Sequence, residues 1–146
     1  MNKSFLFALV IVFVIAVLSG SCRQSCVPGY SGRGCAPDNQ KVTGTYIGTA
    51  IITADGHSNP PQPDTLIISA GTAPDSILIN NSTSPIKGYV TGSGSGFIVA
   101  SQSVIYSGVT IVIGGSGALS GDTLTGLFTG TQGGLPFSLS YSGVRQ

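Results

Sequence analysis

From Val42 to the C-terminus, apolar residues alternate with serine and threonine in short runs, and glycine-rich turns separate the runs. A period of two predicts strands with one face turned to a core. The longest run, Thr43–Thr53, carries Tyr46, Ala50 and Ile52 on one face and Ile47 and Ile51 on the other. Asp55-Gly56 then opens a loop that Asn59-Pro60-Pro61-Gln62-Pro63 keeps stiff and extended. Shorter strands are predicted at Asp64–Ser69, Ser76–Asn80, Lys87–Thr91 and Phe97–Ala100, with a flexible turn at Gly92-Ser93-Gly94-Ser95-Gly96. Val109–Ile113 and Ala118–Leu119 read as one strand broken by Gly114-Gly115, and Ser120-Gly121-Asp122 as a tight hairpin. Thr123–Thr129 and Phe137–Tyr141 close the chain, the last with Phe137, Leu139 and Tyr141 inward and Ser138, Ser140 and Ser142 outward. About seven to nine strands without a helix-period segment predict an all-β fold, an antiparallel β-sandwich or small barrel.

The first residues follow a different pattern. Lys3 precedes Phe5–Leu18, a stretch without charge that is too short for a transmembrane helix, which needs about 20 apolar residues. It reads as the core of a cleaved leader, Met1–Ser21, ending at the small residues Ser19-Gly20-Ser21 before Cys22. The predicted organisation is a leader over 1–21, a tether over 22–41 and a β domain over 42–146.

Charge narrows the partners. Beyond the leader, five basic residues (Arg23, Arg33, Lys41, Lys87, Arg145) face five aspartates and no glutamate. A balance of zero gives no basic excess to neutralise phosphates, so nucleic acid is not an expected partner, and there is no polybasic cluster for anionic lipid. Three cysteines in an exported chain leave one over after pairing. If Cys22 is consumed by a lipid thioether, Cys26 and Cys35 remain as a disulfide pair; the alternative gives Cys22 an intermolecular bridge.

Leu18-Ser19-Gly20-Ser21-Cys22 resembles the lipobox of bacterial lipoproteins, with the aliphatic residue four places before the cysteine instead of three. The resemblance implies a diacyl or triacyl anchor on Cys22, and more than one acyl chain makes such an anchor stable. Cys26-Val27-Pro28-Gly29-Tyr30-Ser31-Gly32-Arg33-Gly34-Cys35 is similar to the closing loop of EGF-like modules, without their other two disulfides and without calcium ligands. It reads as a stapled spacer, followed by a short polar link at Ala36–Lys41. With the strand opening Gly44-Thr45-Tyr46, the whole resembles small lipoproteins of Bacteroidetes-type bacteria, a group that implies location and architecture and no particular activity. The implied address is the cell envelope, anchored to a membrane, with the outer membrane expected and the domain facing the periplasm or the surface.

Candidate chemistry is sparse. His57 is the single histidine, so neither a metal site nor another cofactor is expected. A hydrolase would have to build on His57, and no Gly-x-Ser-x-Gly elbow precedes a helix. The aspartates sit near turn boundaries, where they more often cap turns than pair for catalysis. Asp64-Thr65-Leu66, Asp75-Ser76-Ile77 and Asp122-Thr123-Leu124 share a pattern that resembles the O-glycosylation signal of exported proteins in the same bacterial group, which would modify Thr65, Ser76 and Thr123. The same pattern also describes an aspartate closing a turn before a strand. The leading expectation is therefore a lipid-anchored β domain with a binding, structural or interaction role, with an envelope protein or glycan as candidate partner, and no enzymatic activity. The alternatives are a small barrel carrying an apolar ligand and, third, a hydrolase using His57.

Overall fold

In the computed structural model, which describes residues 25–80 and 84–146, the alternating runs curl into a closed barrel. Its eight strands are β3 (Gly44–Ala54), β5 (Gln62–Ala70), β6 (Ser76–Asn80), β7 (Ile86–Thr91), β8 (Gly96–Tyr106), β9 (Val109–Ser120), β10 (Thr123–Gln132) and β11 (Leu135–Arg145). Each pairs antiparallel with the next in sequence, and β11 returns to β3 from Phe137↔Ala54 to Arg145↔Tyr46. Closure removes the sheet edges that an open sandwich would leave. A two-residue strand, β4 (His57–Ser58), pairs with the end of β3. Ahead of the barrel, β1 (Tyr30–Ser31) and β2 (Ala36–Pro37) form a small hairpin, and α1 (Asn39–Val42) is a single helical turn.

Two predicted features come out differently. β9 runs unbroken through Gly114-Gly115. The glycines are there because β8 bulges opposite them. Val99 pairs with Gly115 and Gln102 with Ile113, so Ala100 and Ser101 together face Gly114. A Cβ on Gly115 would collide with the Leu127 carbonyl on the other side. The bulge bends the barrel wall without ending the strand. For the same reason β8 continues to Tyr106, past the predicted end at Ala100: the polar Ser101-Gln102-Ser103 interrupts the alternation while the chain stays paired.

The interior is apolar and unevenly filled. Tyr46, Leu66, Ile68, Ile77, Ile79, Phe97, Leu124, Phe128 and Tyr141 are buried in one half, with the Phe97 and Phe128 rings 6.3 Å apart. That half is sealed by residues 26–43. The predicted disulfide joins Cys26 and Cys35. Pro28-Gly29 turns as expected, with Gly29 at φ 84°. The predicted spacer, however, is docked. Asp38 N–H donates to the Gly29 carbonyl at 2.8 Å, and Asn39 N–H to Pro74 at 2.9 Å. The buried Asn39 amide donates to the Ala73 and Ser76 carbonyls at 2.9 and 3.1 Å. Lys41 reaches the Ser93 carbonyl at 2.9 Å and pairs with Asp38 at 3.2 Å, which pins the turn at 92–96 that composition alone reads as flexible. Val42 is fully buried. The predicted polar link is a lid on the barrel, because α1 is too short to show a helical period yet satisfies buried carbonyls with its asparagine.

The last strand locks this end. Tyr46 Oη donates to the Val42 carbonyl at 2.9 Å and accepts from Arg145 Nη2 at 2.7 Å. Arg145 also donates to the Lys41 carbonyl. Tyr141 Oη, from β11, donates to the Tyr46 carbonyl at 2.7 Å.

Candidate functional site

Nothing among the described residues covers the other end of the barrel. The strands reach it at Ala54, Gln62, Ile86, Tyr106, Val109, Gln132 and Leu135, and the turns Asp55-Gly56, Ser107-Gly108 and Gly133-Gly134 surround it. Here the inward side chains do not fill the lumen. They leave a cavity of about 320 Å³, within the 300–1,000 Å³ range of small-molecule sites.

Its inner tier is Ala50, Ile86, Val104 and Ile113, all buried. Ile52, Ile111, Phe137 and Leu139 form the wall above it, and Tyr106 stands at the rim. Polar groups are few: Gln62, Asp64, Ser84 and Gln132. The rim itself is apolar and exposed at Ile105, Tyr106, Val109 and Leu135, which are 44–60% accessible. Exposed apolar residues gathered around a concavity mark a place where something binds more often than they mark chance.

Asp64 is the carboxylate of this cavity. It lies within β5, on the same face as the buried Leu66 and Ile68. Its Oδ1 accepts from the Thr65 N–H at 2.8 Å. Burial raises the Tyr141 hydroxyl above its ordinary value of 10.0; the Asp64 charge and Tyr46 push the same way, and the Leu66 amide opposes them. Tyr141 itself belongs to the packed half and is not among the residues lining the cavity. The sequence gives Asp64 only a turn or glycosylation role. The available signal was parity: Asp64, Leu66 and Ile68 share one face of a strand.

The other predicted site residues are scattered. Cys22 lies outside the described residues. Thr65 and Thr123 are exposed, on β5 and at the start of β10. Ser76 is half-buried, and its hydroxyl bonds to both the N–H and the carbonyl of Ala73 at 2.9 and 3.0 Å. Asp75 and Asp122 do precede strands, whereas Asp64 sits inside one. His57 is exposed on β4, with Nδ1 2.9 Å from the Asp55 carbonyl. Among the described residues no hydrogen bond joins His57 to a serine hydroxyl or a carboxylate, and no three histidine, cysteine or acidic side chains come together.

No protein-family model matches the chain, and no curated protein sequence matches it. Among solved structures, it is similar to a Bacteroides fragilis protein provisionally described as an outer membrane protein. The TM-score is 0.62 at 18% identity, over 77% of this chain and 54% of that one. This chain thus spans little more than half of that protein's length, and what the two share is the fold.

Proposed function

We propose that this chain is an envelope lipoprotein whose barrel binds a small, largely apolar ligand and catalyses no reaction. The observation that carries the reading is the asymmetry of the barrel. One end is capped and packed, and the other keeps an apolar cavity with an apolar rim.

The leader-like segment, Cys22 and the Cys26–Cys35 bridge support an exported, lipid-anchored protein, and the structural likeness to a provisional outer membrane protein is consistent with it. Membrane-spanning barrels keep a polar lumen, whereas here the lumen is apolar; the outward face mixes serines and threonines such as Thr65, Thr125, Ser140 and Ser142 with exposed Ile47, Ile67, Ile98, Leu127 and Val144. Anchoring at Cys22 also sets the orientation. From Cys22 to Cys26 the chain extends at most about 14 Å, and Cys26 belongs to the cap. The closed end would then face the bilayer and the mouth would face away from it.

Two measurements test this reading. Titration of the purified protein with 1-octanol is expected to raise Tm saturably, and Ile52→Trp, which fills the mouth, is expected to abolish the rise. A rise without saturation, or one unchanged by Ile52→Trp, overturns ligand binding. Cells fed radioactive palmitate are expected to label the protein but not Cys22→Ala; equal labelling of both overturns the anchor. Thr65 and Thr123 are the positions where O-glycosylation fits, since the Ser76 hydroxyl is engaged. An intact mass accounted for by peptide and lipid alone would exclude that modification.

A further inference from the structure

We infer that Asp64 makes the cavity selective for a short apolar amine over a neutral or acidic molecule of the same size, an inference that rests on the ligand-binding reading above. The cavity wall is mostly hydrocarbon, yet one half-buried carboxylate stands in it, level with Gly48 and facing the same lumen. One of its oxygens is taken by the adjacent Thr65 N–H, and among the described residues no hydrogen bond or ion pair reaches the other.

The described cations all stand elsewhere. Lys41 holds Asp38 and Ser93 at the closed end, Arg145 holds Tyr46, and Arg33 and Lys87 are exposed. None of the four lines the cavity. A carboxylate with apolar neighbours and no countercharge is unfavourable by itself, and a ligand ammonium would complete it with a charge-assisted hydrogen bond. Low-dielectric walls strengthen that attraction and, equally, the repulsion of a ligand carboxylate. In this arrangement the amine lies at the inner tier beside Asp64, and the apolar body points to the mouth past Ile52 and Phe137.

The test compares three eight-carbon probes, octylamine, 1-octanol and octanoate, titrated against the full-length protein and Asp64→Asn at pH 7 by calorimetry. The asparagine oxygen can still accept from Thr65, so the variant keeps the local bond. The expected order is octylamine at least about tenfold tighter than octanol, with octanoate weakest. In Asp64→Asn the preference for octylamine over octanol should vanish. Added salt should weaken octylamine binding to the unmodified protein and leave octanol unaffected, a readout that stands even if the variant fails to fold. Octanoate binding as tightly as octylamine, an amine preference that survives Asp64→Asn, or amine binding indifferent to salt would each overturn the inference. Octanol binding in those cases leaves the cavity reading standing; if no probe binds the unmodified protein, the cavity reading fails first and this one with it.

Discussion

The two ends of the barrel are made from the same strands and behave oppositely. At the closed end Tyr46, Phe97, Leu124 and Phe128 fill the lumen, and a helical turn with one buried asparagine covers it. At the open end the same inward register presents Ala50, Ile52, Val104 and Leu139, and nothing among the described residues covers them. The difference shows how a barrel divides its labour: aromatic packing and satisfied carbonyls hold one half together, so the other half can leave apolar surface unfilled.

The strongest way to break the comparison is to truncate one phenylalanine at each end. Phe128→Ala, at the packed end, should cost about 3–5 kcal/mol. Phe137→Ala, on the cavity wall, should cost about 1 kcal/mol or less, because little surrounds it to collapse or lose contact. Urea unfolding of both variants checks this, and equal costs would mean that the two ends are packed alike.

The cap gives the next effect. Replacing Cys26 and Cys35 by serine should remove about 2–3 kcal/mol of loop-closure stabilisation from residues 26–35. Asn39→Ala should cost about 1–3 kcal/mol by removing the two hydrogen bonds that its buried amide donates to the Ala73 and Ser76 carbonyls. Hydrogen exchange should then rise first at Tyr30–Val42 and around Ser93. If exchange rises first at the mouth, the cap does not hold the closed end.

The smallest effect sharpens the boundary between the halves. Tyr141→Phe removes the bond to the Tyr46 carbonyl and should cost about 1 kcal/mol. The folded state raises the Tyr141 pKa, so the protonated hydroxyl is favoured on folding. That stability is complete below the unfolded tyrosine value of about 10 and is lost as pH climbs toward the higher folded value. The unmodified protein should therefore lose stability above about pH 10 more steeply than Tyr141→Phe. Parallel alkaline profiles would show that Tyr141 ionises equally in both states.

Much of the fold is readable residue by residue. The alternation at Tyr46 and Ala50, and at Leu139 and Tyr141, identifies strand faces because side-chain direction in a strand depends only on position in the pleat. The Cys26–Cys35 pair is what remains once Cys22 is set aside for a lipid, and the resemblance to the closing loop of EGF-like modules agrees with it. The cap is hidden because Asp38, Asn39 and Lys41 look like a solvated link until their partners at Ala73, Ser76 and Ser93 are in place. Asp64 is hidden for the same reason: its meaning depends on what lies across the lumen.

Strand type, strand face and the short disulfide loop are local properties, determined by the sequence through backbone sterics and nearest neighbours alone. Barrel instead of sandwich, sealed end and open end, and a carboxylate inside a hydrocarbon wall are decided by pairing β11 with β3 and by docking residues 26–43 against turns 30 to 60 positions away. Those contacts join residues that carry no mark of each other in the sequence, and only closing the chain on itself brings them together.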